Sequence, residues 1–157
     1  MSVAFRRDSD EEHMEPRFEL PLPPGPNLVT ARGLALTRAA LEAVNVEVRD
    51  ETDAVKLAEL KRTQRYWQTR AATAELAPVP RGDVVAFGCR VTLDLDAMRR
   101  VIDIVGDDEA EPSAGRLAFS APLARAVIGA EVGEVLDLGE RVEAIEILAI
   151  EPIPTSN

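Results

Sequence analysis

The chain has 157 residues, a net charge of −10, one cysteine and one histidine. This length suffices for one ordinary domain or two small ones. The single Cys89 excludes an internal disulfide and a cysteine-based metal site. The single His13 lies in a polar N-terminal stretch, so the folded part cannot hold a Ser–His or Cys–His catalytic pair. No apolar run approaches the roughly 20 residues of a membrane span, and no signal-peptide core is present, so we expect a cytoplasmic protein that does not contact a membrane.

The charge is spread unevenly along the chain. Residues 1–27 have a net charge of −3, residues 28–79 of +1 and residues 80–157 of −8. An acidic protein of this kind repels phosphates, so it should bind nucleic acid poorly in general. Any contact with nucleic acid should be local or arranged by a protein partner.

Residues 1–27 mix charges with prolines and have few apolar residues, a composition typical of a disordered leader. Thr30 is the expected N-cap of a first helix, whose apolar residues recur at three-four spacing to Val44. The polar run DETD at 50–53 then breaks the pattern, and a second seam follows from Leu57. Residues 28–79 are therefore predicted to form an antiparallel helical hairpin, a short coiled coil.

From Asp83 onwards the period changes to two. Strands are predicted over Val85–Leu95, Val101–Val105, Leu117–Phe119, Val135–Leu138 and Val142–Ile150, with one short helix after Ser120, the expected N-cap. Cys89 should point into the core. The sequence therefore predicts an α+β protein whose C-terminal domain, residues 80–152, has about five strands and one short helix, followed by a tail at 153–157.

The runs IVGDDEA, SAPLARAVIG and VG within Ile104–Gly133 resemble the C-terminal domain of the bacterial Gre transcript-cleavage factors, and the likeness extends from about Arg81 to Pro152. The segment NLVTARGLALTRAALE is similar to the Gre opening, in which Thr-x-x-Gly leads into a leucine-rich helix. This resemblance implies an FKBP-like fold for the C-terminal domain. It also implies an accessory factor, not an enzyme, that binds RNA polymerase at the rim of its secondary channel.

In that family the acidic tip of the hairpin helps to hold a second Mg²⁺ at the polymerase active site, so that the polymerase cleaves its backtracked transcript. The factor needs no cofactor of its own and shares that Mg²⁺. Here the family's acidic tip segment is missing, and each hairpin arm is shorter by about three turns. The first function that the resemblance implies is therefore stimulation of transcript cleavage by the polymerase. The alternative is a non-cleaving competitor at the same channel, because a short hairpin resembles the Rnk type, which binds polymerase without stimulating cleavage.

Three groups of residues are candidate sites. Asp50, Glu51 and Asp53 could act catalytically at the tip, or could only cap the second helix, which is the interpretation we favour. They are not expected to bind a metal stably by themselves. The basic patch could contact RNA or acidic channel walls, or could be a solvated face; it comprises Lys61, Arg62, Arg65 and Arg70. The family resemblance implies that Ala121, Pro122 and Leu123 bind the polymerase, although they could merely shape a short helix.

The acidic loop Asp107–Glu111 could face a basic surface of a partner, but we expect it to be merely solvated. Two further functions stay open. An FKBP-like fold allows a peptidyl-prolyl isomerase, which would need an aromatic-lined pocket, whereas residues 80–157 offer only Phe87 and Phe119. A generic helical-hairpin adaptor is the other possibility.

Overall fold

The computed structural model describes residues 19–155. Residues 1–18 of the predicted leader, 1–27, therefore lie outside the described residues. Ser156 and Asn157 of the predicted tail also lie outside them. Within this part of the chain, no helix is long and apolar enough to cross a membrane. The described chain divides into two compact units. One contains Thr37–Thr73, and the other contains Pro26–Leu36 and the chain from Ala74 onwards.

Two helices of equal length form the hairpin. Helix α1 spans Ala31–Asp50 and α2 spans Ala54–Thr73, and each has 20 residues. At 1.5 Å per residue each is about 30 Å long. The side-chain amide of Gln64 donates a 2.9 Å hydrogen bond to Asn45, which joins the two helices on their polar side. The predicted antiparallel hairpin is confirmed.

The second unit begins with a two-residue strand. Strand β1, Leu28–Val29, pairs in parallel with β2, Glu75–Leu76. Gly106 lies against β1 so closely that a Cβ at this position would be 2.3 Å from the carbonyl oxygen of Leu28. Only glycine allows that approach, since a contact this short would displace backbone.

A five-stranded mixed sheet makes up most of the second unit. Its strands are β3 (Cys89–Leu95), β4 (Met98–Val105), β5 (Arg116–Ala118), β6 (Val135–Leu138) and β7 (Arg141–Pro152). They lie in the order β5-β4-β3-β7-β6, and only the β4–β5 pair is parallel. The short helix α3, Pro122–Val127, packs its buried residues into the core of this sheet. The predicted α+β fold with five strands and one short helix is confirmed.

The first predicted strand is too long at its start. The alternation from Val85 to Leu95 predicts one strand, but β3 begins only at Cys89. Gly88 adopts a φ of +88°, and the Cys89 amide donates a 3.1 Å hydrogen bond to the Ala86 carbonyl, so the chain turns at this point. Alternation alone does not reveal such a turn, because Val85 is buried even though it lies before the turn and outside β3. Cys89 is fully buried, as expected.

Candidate functional site

The hairpin tip consists of Asp50, the last residue of α1, and the three residues between α1 and α2. A carboxylate oxygen of Glu51 accepts hydrogen bonds from the backbone amides of Thr52 and Asp53, at 3.1 and 3.0 Å. Asp53 in turn accepts a 2.9 Å hydrogen bond from the backbone amide of Lys56. The first amides of a helix have no carbonyl partner within the helix, so Asp53 caps α2, whereas Glu51 binds the two amides that precede the helix.

Asp50 differs from the other two tip acids. Its carboxylate contacts only the exposed guanidinium of Arg49, at 3.4 Å. In the described residues, no group of three or more His, Cys, Asp or Glu side chains could hold a metal ion.

The predicted basic patch lies on α2 but does not form one continuous surface. Lys61 and Arg65 are exposed and Arg62 is half-buried, whereas Arg70 is only 4% exposed. Lys61 and Arg65 are four residues apart and Arg62 and Arg65 three, so these three cations are neighbours on the helix. We call them the basic face of α2. Arg70 does not belong to it.

The residues expected to bind a polymerase lie at the start of α3. Ala121 is the N-cap residue with an extended backbone, and Pro122 follows in the first helical turn, where its missing N–H costs little. Pro122 is exposed, Ala121 is half-buried, and Leu123 is 9% exposed within the core. Of the three, Pro122 presents the most surface for a contact, and Leu123 anchors the helix.

The N-cap predicted at Ser120 is wrong. No side chain caps α3, and the Ser120 hydroxyl instead donates a 3.1 Å hydrogen bond to the carboxylate of Asp107. The sequence pattern could not show whether Ser120 bonds to a backbone amide of the helix or to Asp107, because Asp107 lies 13 residues away. The bond ties the start of α3 to the loop after β4.

The expectation of a solvated loop at Asp107–Glu111 is wrong for Glu109. This residue is 7% exposed, and its carboxylate accepts hydrogen bonds from the Thr30 hydroxyl at 2.6 Å and from Arg32 at 3.1 Å. A buried carboxylate is stable only when it is paired in this way. Thr30 also accepts a 3.0 Å hydrogen bond from the Gly33 amide, which confirms it as the N-cap of α1. We call Thr30, Arg32, Gly33 and Glu109 the Thr30 cluster.

A groove of about 440 Å³ lies beside the Thr30 cluster in the same unit. Its apolar lining comes mainly from prolines and aliphatic side chains, and Phe87 is its one aromatic residue; the lining includes Pro78, Val79, Pro80, Phe87, Pro152 and Ile153. Phe87 packs edge-on against Phe119, with ring centroids 5.6 Å apart. The groove therefore lacks the aromatic enclosure on which an isomerase pocket depends.

Comparison with known proteins identifies the class of the second unit. The family described as "Transcription elongation factor, GreA/GreB, C-term" matches residues 80–152. The match covers 73 of the 157 residues, a little less than half of the chain, and it shows that residues 80–152 are similar to this C-terminal domain.

The most similar relatives include two proteins named transcription elongation factor GreA. That of Caulobacter vibrioides is 40% identical over 90 residues, which are 54% of this chain and 57% of the relative. That of Mesorhizobium japonicum is 44% identical over 71 residues, 43% and 45% of the two chains. The chain thus spans about half the length of the curated relatives it matches.

Among solved structures, the chain was matched to GreA factor homolog 1 (Gfh1) of Thermus thermophilus. It is 19% identical, with 81% of this chain and 99% of that chain covered and a TM-score of 0.38. A GreA/GreB factor from Nitrosomonas europaea is 15% identical, with 81% and 98% covered and a TM-score of 0.37.

Proposed function

We propose that this protein is a Gre-family accessory factor that binds RNA polymerase at its secondary channel and regulates transcript elongation. The observation that carries the proposal is the match of residues 80–152 to the GreA/GreB C-terminal domain, within which Pro122 lies exposed at the start of α3. The family resemblance implies that this segment contacts the polymerase. An exposed proline beside a buried leucine gives a rigid apolar surface, which suits such a contact.

Of the two ways to act in the channel, occupancy without cleavage is the one we propose. Stimulated cleavage needs a carboxylate within about 2.3 Å of an ion. Glu51 and Asp53 already accept hydrogen bonds from backbone amides of the tip. If they bound a metal instead, those amides would lose their partners. The loss costs about 1–3 kcal/mol for each amide that also loses water when the tip enters the channel.

Stimulation of cleavage is the second candidate function. One observation favours it: Asp50 has no backbone partner, and its only described ion pair is the long, exposed contact with Arg49. It could turn towards an ion without disturbing the turn.

The two functions are separated by a transcript-cleavage assay on stalled elongation complexes with polymerase from the same source. We expect the wild-type protein to bind the complexes and to leave cleavage at its intrinsic rate. Asp50→Ala, Glu51→Ala and Asp53→Ala should then behave like the wild type. Cleavage that rises with the wild type and falls with Asp50→Ala would establish the second candidate instead.

Binding is tested separately with Pro122→Asp. An acidic residue is favourable in the first turn of a helix, so this variant should fold while the apolar contact is lost. We expect its affinity for the polymerase to fall by tenfold or more, on the order of a central interface residue. Pro154→Asp, an exposed proline in the groove region, is the matched control and should bind normally. Equal affinity of both variants would remove Pro122 from the interface.

A further inference from the structure

The loop that follows β4 is held at two points, one on each side of Asp107. Before it, Gly106 is buried and lies so close to β1 that a Cβ there would be 2.3 Å from the Leu28 carbonyl oxygen. After it, the Glu109 amide donates a 3.2 Å hydrogen bond to the Gly106 carbonyl, and the Glu109 carboxylate is buried in the Thr30 cluster. Asp107 therefore extends from a loop whose backbone is fixed on both sides.

The turn that leads into α3 carries the exposed residue of the proposed polymerase contact. The Ala121 amide donates a 2.9 Å hydrogen bond to the Ala118 carbonyl, and no side chain caps the helix. Leu123 is buried in the core, whereas Ser120 and Pro122 are exposed. Burial thus holds α3 from Leu123 onwards, but it does not hold the exposed turn before that residue.

One side-chain contact joins this turn to the loop. The Ser120 hydroxyl donates a 3.1 Å hydrogen bond to the Asp107 carboxylate, across 13 positions of the chain. Within the described part of the chain, neither side chain makes another hydrogen bond or ion pair. The two side chains therefore serve a single contact, which links a fixed loop to an exposed turn.

We propose that Asp107 is a positioning residue for the polymerase contact, because through Ser120 it holds the turn that presents Pro122. The carboxylate acts only as a hydrogen-bond acceptor, and its charge is not required. Without the bond the turn samples other conformations, and the affinity falls with the fraction of molecules that keep the presented one. The inference rests on the proposed binding of RNA polymerase, but the positioning itself can also be measured without polymerase.

The first measurement is the affinity of the full-length protein for RNA polymerase from the same source. One hydrogen bond corresponds to a change of about two- to tenfold in an equilibrium constant, so Asp107→Ala and Ser120→Ala should each weaken binding by that factor. Asp107→Asn keeps an oxygen that accepts the Ser120 hydroxyl, so it should bind as the wild type does. In the double variant the two losses should not add, because both substitutions remove the same bond.

Asp137→Ala is the matched control. Asp137 lies in β6 of the same unit, and its carboxylate also accepts one hydrogen bond, from the Glu143 amide at 2.8 Å. Its replacement removes the same charge and one hydrogen bond, as Asp107→Ala does. We expect this control to leave the affinity for polymerase unchanged.

Hydrogen exchange of the Ala121 amide tests the positioning without polymerase. This amide bonds to the Ala118 carbonyl as long as the turn keeps its conformation. It should exchange about two- to tenfold faster in Asp107→Ala than in Asp137→Ala, and Asp107→Asn should restore its protection. If the wild type does not bind polymerase, the proposed function fails, and the exchange rates still decide whether Asp107 holds the turn.

Three results would overturn the proposal. Asp107→Ala and Asp137→Ala could match in polymerase affinity or in the exchange of the Ala121 amide. Asp107→Asn could lose as much affinity as Asp107→Ala, which would make Asp107 a direct charged contact of the polymerase. The losses from Asp107→Ala and Ser120→Ala could add in full, which would show that the two residues act separately.

Discussion

The hydroxyl of Thr30 donates a 2.6 Å hydrogen bond to the carboxylate of Glu109, which lies 79 residues further along the chain. The same hydroxyl accepts the backbone amide of Gly33 and so caps α1. One side chain therefore serves both the start of a helix and a buried carboxylate in a loop of the sheet domain. This double use gives a physical reason for the Thr-x-x-Gly segment at the head of α1.

Replacing Thr30 should test both uses. We expect Thr30→Ala to lower the free energy of unfolding by about 1–3 kcal/mol, since it removes a cap and one partner of a buried carboxylate. Thr30→Ser keeps the hydroxyl and should recover most of that loss. Urea denaturation measures both variants. Thr52→Ala, at an exposed tip residue, is the control; a loss no larger than that of the control would contradict the role of Thr30.

The effect of Gly33→Ala on the free energy of unfolding should reverse its sign when Glu109 is removed. A Cβ at this position would be 2.8 Å from the Glu109 carboxylate oxygen, so Gly33→Ala should destabilise the wild type by about 1–3 kcal/mol. In a Glu109→Ala background the obstacle is gone, and alanine should stabilise the helix by about 0.5–1 kcal/mol. The double-mutant cycle by urea denaturation gives the coupling. Destabilisation of equal size in both backgrounds would show that Glu109 is not the obstacle.

The tip acids should rank by their hydrogen bonds to the backbone. We expect Asp53→Ala to cost about 1 kcal/mol as a lost N-cap and Glu51→Ala a similar or smaller amount. Asp50→Ala should stay within about 0.5 kcal/mol of the wild type. Trp67, the only tryptophan, lies in α2, so its fluorescence reports on the hairpin. Asp53→Asn retains a capping oxygen and serves as the control. A larger loss for Asp50→Ala than for Asp53→Ala would refute this ranking.

The contact between Glu19 and Arg65 should depend on pH in one direction. The pKa of Glu19 is lowered, mainly by the hydrogen bond from Arg65. The contribution of the contact to stability is therefore fully present above the ordinary value of 4.5 and is lost as the pH falls through the lowered pKa. A carboxyl ¹³C titration should place Glu19 below 4.5, and Arg65→Gln should return it towards that value. Titration of Glu19 at or above 4.5 in the wild type would contradict the contact.

Local patterns in the sequence predict the elements of this fold well. Three-four spacing on both sides of DETD predicts the hairpin, and alternation over Val85–Leu95 predicts β3 apart from its start, because these signals arise from burial on one face. The Thr30 cap is equally local, since its amide partner is three residues away. Such features need no knowledge of the tertiary structure.

Two of the predictions that failed depend on distant partners. The sequence around Glu109 predicts a solvated acidic loop, because no neighbouring residue in the chain shows that Thr30 and Arg32 bind its carboxylate. The sequence likewise predicts that Ser120 caps a helix, whereas its hydroxyl donates its hydrogen bond to Asp107. For the candidate site, helix periodicity places Lys61, Arg62 and Arg65 together, but it does not reveal that Arg70 is buried or that Glu19 lies on Arg65. The roles of Pro122 and of the tip acids in polymerase binding stay predictions.

The central claim is that the protein occupies the polymerase channel without supplying a metal ligand, and one competition measurement tests it most directly. Stalled elongation complexes are cleaved in the presence of a full-length GreA from the same source, while this protein is added in increasing amounts. We expect cleavage to fall with dose towards its intrinsic rate, and Pro122→Asp to require about tenfold more protein for the same effect. Cleavage that is unchanged at saturating protein, or that rises above the rate with GreA alone, would contradict the claim.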